Sequence, residues 1–407
     1  MLWLAAARVG AQGVAAEGGV ALQDVLRYAD RRSPVLTVAR ATRSRADAAR
    51  VAAQLLLPSN PELSVAVGPS FGSGNTGVDL ELGLMQELET GGERSARIDA
   101  AHKLRELTEA EIERLRWEVR CDVRLSFFTA LMERERAQLA ASVLAFQQDV
   151  LRVVERQIAA GEAAPLAVRL AEAEVAQAQQ MSTASEQSWL ASRLRLAQQA
   201  GWPTATPPLP AGALAAPRDP RTAAELVKLA REHLPSLRAA AARVREAGAR
   251  VSLADREGWP RPSVGVQYQH DADGPRDTVM GVLSVPIPGF RRNQGGRADA
   301  RADAAIAQAE LAAAQQLLES QIALARSEVV AAAQRTRAYG TAILPRFEEN
   351  LRLLARSLEL GEIDILAFAT GRERFLRIQS DALAAQLDYY LALANLERIV
   401  GSEVLTP

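Results

Sequence analysis

Apolar positions recur along this chain with two periods. Over most of it they return every three to four residues, and in three short runs they return every second residue. The longest stretch of the first kind covers about 94–160, where Leu104, Leu107, Ile112, Leu115, Val119, Val123, Phe127 and Leu131 form one stripe. A stripe at that spacing predicts a helix with a single apolar side. At 1.5 Å per residue such a helix is about 100 Å long, far beyond a globular domain, so the stripe must be buried against other helices in a coiled-coil-like assembly. A second long stretch covers about 296–360. Shorter helices are predicted at about 21–32, 34–56, 222–233 and 235–257, and return helices at about 165–200 and 363–399.

The alternating runs predict strands. Leu63, Val65 and Val67 share one face opposite Ser64, Ala66 and Gly68. Val78, Leu80, Leu82 and Leu84 oppose Asp79, Glu81 and Gly83, and Val264, Val266 and Tyr268 oppose Gly265, Gln267 and Gln269. Period two gives each strand one apolar and one polar face. A fourth run, about 277–287, alternates poorly. The segments between paired runs are rich in glycine and aspartate, as hairpin tips should be.

The two halves of the chain repeat each other. Pro34 aligns with Pro235, Leu36 with Leu237, Pro61 with Pro262, Leu63 with Val264 and Val65 with Val266 at a shift of 201 residues. Arg156 aligns with Arg356, Gly161 with Gly361, Glu162 with Glu362 and Leu166 with Leu366 at a shift of 200. A tandem duplication follows. The first repeat covers 17–200 with a hairpin at 62–88, and the second covers 222–400 with a hairpin at 263–287. Residues 201–221 form a linker in which six prolines break any helix. Residues 401–407 form a tail. The apolar, small-residue segment 1–16 reads as the remnant of an export signal, with Val14-Ala15-Ala16 fitting a cleavage site before Glu17.

Composition narrows the picture. Hydrophobic residues make up 48% of the 407, but aromatics only 4%, and much of the remainder is alanine. Alanine favours helices and fills cores poorly, so closely packed long helices are expected. The 48 basic and 49 acidic residues nearly cancel, which argues against a nucleic-acid partner held by phosphate neutralisation. The single cysteine, Cys121, excludes an intrachain disulfide and reads as a small packing residue. No apolar run approaches the ~20 residues of a membrane-spanning helix.

Four strands of about ten residues do match a transmembrane β-strand in length. Four strands cannot close a barrel, and open edges in lipid are not viable. If these strands span a membrane, several chains must share one barrel. The other possibility is two surface hairpins on a helical protein.

The order and duplication of several segments resemble the outer-membrane efflux family, the TolC-like proteins. The segments are Pro58-Ser59-Asn60-Pro61-Glu62-Leu63 before the first strand and Gln86-Glu87-Leu88-Glu89-Thr90-Gly91-Gly92-Glu93-Arg94 after the second. In the second half they are Val285-Pro286-Ile287-Pro288 followed by Arg292-Asn293-Gln294-Gly295. The breaks Ala160-Gly161-Glu162 and Leu360-Gly361-Glu362-Ile363-Asp364-Ile365-Leu366 also match. The Asn-Pro-Glu-Leu entry resembles the cobalt–zinc–cadmium resistance branch.

That resemblance implies an α+β, mostly α fold: a homotrimer with four strands per chain in a twelve-strand barrel and long helices in a periplasmic α-barrel. It implies an outer-membrane channel docked through a periplasmic adaptor onto an inner-membrane pump of the RND type, passing heavy-metal cations outward without a cofactor or catalytic site. Leu63, Val65, Val67, Val78, Leu80, Leu82, Leu84, Val264, Val266 and Tyr268 would then face outer-membrane lipid. Gly161, Leu166, Gly361 and Leu366 would meet the adaptor. Glu162, Glu362 and Asp364 would ring the tunnel mouth, where close like charges repel one another and favour cations. Their ordinary role is to place negative charge at a helix start. The same conduit serving drugs, organic solutes or type I secretion remains an alternative, as does a periplasmic coiled-coil scaffold without transport.

Other motifs fail their context. Gly72-Ser73-Gly74-Asn75-Thr76-Gly77 fits G-x-G-x-x-G but joins two strands instead of opening a helix. His270, Asp271 and Asp273 read as a polar turn, not a metal site.

Overall fold

The computed structural model describes residues 19–71, 76–160, 165–212, 214–272, 276–360, 362–363, 365–402 and 404. The order is α1 (Leu22–Arg32), α2 (Pro34–Gln54), β1 (Glu62–Phe71), β2 (Thr76–Glu87), α3 (Glu93–Ala159) and α4 (Pro165–Ala200) in the first half. The second half has α5 (Ala223–His233), α6 (Pro235–Arg256), β3 (Ser263–Asp271), β4 (Arg276–Ser284), α7 (Gln294–Ala338), a π turn (Tyr339–Ile343), α8 (Leu344–Glu359) and α9 (Ile365–Val400). The fold is α+β and mostly α. Proline opens α2, α4 and α6. Its fixed φ suits a first helical position, where the missing N–H would have no partner anyway.

The second long stretch is not one helix, as expected for 296–360. It breaks at the π turn, where the Leu344 N–H reaches back five residues to the Tyr339 carbonyl. Pro345 supplies the reason: it has no N–H for the carbonyl four residues earlier and its ring crowds that carbonyl. The chain accommodates it with one wider turn.

The chain divides into two compact units, each drawing on both halves of the sequence. The first contains the described residues of Met1–Val38, Arg114–Leu234 and Leu317–Pro407. Its core joins Val25, Leu26, Ala29 and Leu36 to Val119, Val123, Phe127 and Leu131 of α3 and Leu196 and Ala200 of α4. Equivalent positions recur: Leu226, Ala230, Leu396 and Val400 are as fully buried as Val25, Ala29, Leu196 and Ala200. Arg116 grips the Asp30 carboxylate with Nε at 3.1 Å and Nη2 at 3.0 Å, and Arg120 adds a bond at 2.8 Å. Burial pushes the Asp30 carboxyl up, but the hydrogen bonds and charges of Arg116 and Arg120 outweigh it and hold the group below its ordinary value.

The proline-rich linker is strapped down through its carbonyls. Arg193 donates to Pro207 and Pro208, Arg134 to Pro210 and Arg326 to Arg221. The Tyr389 and Tyr390 hydroxyls donate to the Arg218 and Ala215 carbonyls. Gly201 ends α4 at φ 72° and lies so close to α1 that a Cβ would sit 2.4 Å from the Arg32 carbonyl oxygen. Only glycine suits both demands.

The second unit contains Ala39–Glu113 and Pro235–Gln316. It holds a four-stranded antiparallel sheet in the order β1-β2-β3-β4. β4 ends at Ser284 instead of about 287, because Pro286 cannot donate to a strand ladder. Below the sheet, Arg97 pairs with Glu89 and donates to the Ala53 and Leu55 carbonyls. Arg256 caps the Gly91 carbonyl, and the Gly91 N–H donates to the buried Glu93 carboxylate. Exposed pairs such as Arg43–Glu109 and Arg105–Asp47 tie the neighbouring helices and add little individually.

Candidate functional site

The sheet gathers the alternating residues onto one face. Leu63 stands opposite Leu84, Val65 opposite Leu82, and Val67 opposite Leu80. Leu84 then meets Val266, Leu82 meets Tyr268, and Gln86 meets Val264. Val78 lies opposite Pro69 on the same face. The face is open: Leu63, Val65, Val67, Val78, Leu84, Val264 and Val266 are exposed, Val65 by 58%. Leu80, Leu82 and Tyr268 are half-buried on it.

β4 completes this face, which its sequence had concealed. Val279 lies opposite Tyr268 and Leu283 opposite Val264, while Met280 and Val282 fall on the other side. Apolar residues on both faces blur the alternation, and the cross-strand register restores it. The opposite face carries Ser64, Asp79, Glu81, Gln267, Gln269 and Thr278. There Gln267 donates to the Glu81 carboxylate. Among the described residues, β1 and β4 have no strand on their outer edges.

Near the hairpin tips, the Tyr268 hydroxyl donates to Asp277 Oδ1 at 2.8 Å, and His270 Nδ1 lies 2.7 Å from the same oxygen. The Ala272 N–H donates to Asp79. These bonds make a hydrogen-bonded turn of His270 and its neighbours; Asp273 lies outside the described residues, as do Gly72, Ser73, Gly74 and Asn75.

The helix turns of the first unit are the other candidate surface. α3 ends at Ala159 and α4 starts at Pro165, so Gly161 and Glu162 lie outside the described residues. Leu166, in the first turn of α4, is 67% exposed. Gly361 and Asp364 likewise fall outside, and Leu366 belongs to the first turn of α9. Glu362 is exposed, and its N–H donates to the Ser357 carbonyl at 2.9 Å. That six-residue closure is the bond that ends a helix in a Schellman stop. The Glu362 carboxylate accepts from the Ser357 hydroxyl at 2.9 Å, turned back on its own helix.

Sequence reasoning missed a cluster further along these helices. Phe146 of α3 packs edge-on to Phe368 of α9, and the Arg372 guanidinium sits 4.5 Å over the Phe146 ring. Arg372 Nε is buried with no hydrogen-bond partner among the described residues. Burial lowers the Arg372 pKa, opposed by the charge of Asp149. Phenylalanine is scarce in this chain, which was the only signal available.

A small antiparallel sheet with one apolar face, joined to long helices, fits the architecture the resemblance implied. The outer membrane efflux protein family matches the chain twice, over residues 25–201 and 226–402. The chain belongs to that family. It is an outer-membrane efflux channel protein of TolC-like fold, set in the bacterial outer membrane and extending into the periplasm. Both ends of the second match lie 201 residues after those of the first, the shift seen in the sequence. The cobalt-zinc-cadmium resistance protein CzcC of Cupriavidus metallidurans is 28% identical over 347 residues, covering 84% of this chain and 81% of that protein. Among solved structures, the outer-membrane channel OprN superposes with a TM-score of 0.74 at 21% identity, over 94% of this chain and 90% of its own. CusC superposes at 0.71 and 16% identity, over 94% and 92%. Among the described residues of this efflux protein no helix is long and apolar enough to cross a membrane.

Proposed function

We propose that the protein is the outer-membrane conduit of a three-part efflux assembly exporting heavy-metal cations. Three copies close a twelve-strand barrel, and the helices form a periplasmic tunnel that docks through an adaptor onto an inner-membrane pump of the RND type. The chain catalyses no reaction; it gives the pump's substrate a path outward. The observation that carries the metal reading is the likeness to the cobalt-zinc-cadmium resistance protein over most of both chains. The barrel reading is supported by the exposed apolar face and the two open edges. Lipid offers no partner for unpaired backbone groups, so the edges must be closed by further copies. An even strand number lets β4 of one copy meet β1 of the next in antiparallel fashion at every joint.

In this reading Leu63, Val65, Val67, Val78, Leu80, Leu82, Leu84, Val264, Val266 and Tyr268 face lipid, with Val279 and Leu283 added. Gly161, Leu166, Gly361 and Leu366 meet the adaptor, and the exposure of Leu166 supports that role. Glu162, Glu362 and Asp364 ring the tunnel mouth. The repeats 17–200 and 222–400 are two copies of one ancestral unit. A second reading, export of organic solutes, draws on the pyoverdine export protein OpmQ of Pseudomonas putida, 28% identical over 52% of this chain and 47% of its own.

The test uses cells that keep the adaptor and pump of a cobalt–zinc–cadmium system but lack its outer conduit. Supplying this protein should restore growth on those metals and lower cellular metal content. Restored siderophore export with no effect on metals would favour the second reading.

A further inference from the structure

The segment after β4 carries an apolar surface that nothing described in the chain covers. Ile287 is 91% exposed and Phe290 96%. The segment is not a loose end. The Gly289 N–H donates to the Ile287 carbonyl at 2.8 Å, Arg292 Nε to the Pro288 carbonyl at 2.9 Å, and Gln294 Nε2 to the Phe290 carbonyl at 2.9 Å. Asn293, at φ 54°, ties the turn to α6 through the Ala254 carbonyl. The backbone is thus fixed in a shape that holds two large apolar side chains in the open. Apolar side chains this large are expelled from water, so a covering surface is expected.

A second segment has the same character. Leu55, Leu56 and Leu57 are all exposed, and Arg97 anchors their backbone through the Leu55 carbonyl at 3.2 Å. The two segments lie at the same end of the sheet, one beside each open edge. Residues 55–57 lead into β1, whose first residue Glu62 pairs with Met85; residues 285–290 follow Ser284, which pairs with Ser263 at the start of β3. When β4 of one copy lies beside β1 of the next, the strands are about 4.8 Å apart and the two segments become neighbours. Opposite charges fall there too: Glu62 at the foot of β1 and Arg291 beside Phe290.

We propose that Ile287 and Phe290 form an apolar latch that seats on Leu55, Leu56 and Leu57 of an adjacent copy, fastening the foot of the barrel at each joint. The latch rests on the barrel closure proposed above. A membrane-interface anchor is the other occupant such side chains suggest. Anchors of that kind favour Trp and Tyr, whose polar tips reach water, whereas Ile287, Phe290 and Leu55 to Leu57 carry no polar tip.

The test uses the full chain in detergent with Cys121→Ser, Leu56→Cys and Phe290→Cys combined. Mild oxidation should give covalent species of two and three chains on a denaturing gel, and neither single cysteine variant should. Phe290→Ser should weaken the assembly about tenfold or more in its dissociation constant. A native mass of three chains with no cross-link would overturn the latch while leaving the barrel intact. In that case quenching of a Phe290→Trp variant by brominated lipid would assign the segment to the membrane. A native mass of one chain would overturn the closure, and the latch with it.

Discussion

The same aliphatic residues are used in opposite ways in the two units. In the helical unit, Val25, Leu26, Leu36, Val123 and Leu196 have no solvent exposure and face other helices. In the sheet, Leu63, Val65, Val67 and Leu84 lie exposed on one face, with Ser64, Asp79, Glu81, Gln267 and Gln269 on the other. Helical stripes in water turn inward because apolar surface is expelled from water. An exposed apolar face of this size is stable where the surrounding medium is itself apolar, the setting that the proposed barrel gives it. In the proposed barrel the contrast therefore reflects the solvent of each region, not merely its secondary structure.

The sharpest way to break the contrast is to remove a core side chain from the helical unit. Phe127→Ala opens a cavity at a 2% exposed position and should cost ~3–5 kcal/mol, read as a lowered denaturant midpoint. Val65→Arg places a charge on the outward face at mid-strand and should cost ~2–4 kcal/mol when folding is followed in lipid vesicles. Ser64→Arg, one residue away on the polar face, should change far less. Equal effects at 64 and 65 would deny the lipid assignment.

A smaller effect is expected at Asp30, whose charge-assisted bonds are each worth roughly 1.5–3 kcal/mol. Its carboxyl titrates lower in the folded chain than in the unfolded one. Its contribution is therefore present above the unfolded value of about 3.8 and lost as pH falls through the folded one. Asp30→Asn should destabilise the protein at neutral pH and flatten the acid limb of a stability–pH curve below about pH 4. The smallest effects concern glycine. Gly201→Ala should destabilise by about 1–2 kcal/mol, because its φ is positive and its Cβ would strike the Arg32 carbonyl. Gly248→Ala, in α6 with nothing within 4 Å, should instead stabilise by about 0.5–1 kcal/mol in thermal unfolding.

Much of the fold was legible because local chemistry sets it. Pro34, Pro165 and Pro235 mark helix starts to the residue, and strict alternation in 63–67, 78–84 and 264–268 marks three strands. What was hidden depends on residues distant in sequence. The face of β4 is set by its pairing to β3, not by its own interrupted pattern. The π turn arises from one proline whose effect is felt in the preceding turn. The linker is held by arginines and tyrosines from α3, α4, α7 and α9, which no reading of 201–221 alone would find. Of the candidate site, the shared apolar face of β1, β2 and β3 was readable because its period is two. The stacking of Arg372 on Phe146 was not, since periodicity says which side of a helix is apolar but not which helix it meets.

The most direct measurement is the protein mass of the purified full chain in detergent, by light scattering corrected for bound detergent. The account predicts three times the 43.8 kDa chain, carrying a detergent belt and recovered from the outer-membrane fraction. A single chain that stays dispersed in the absence of detergent would contradict it.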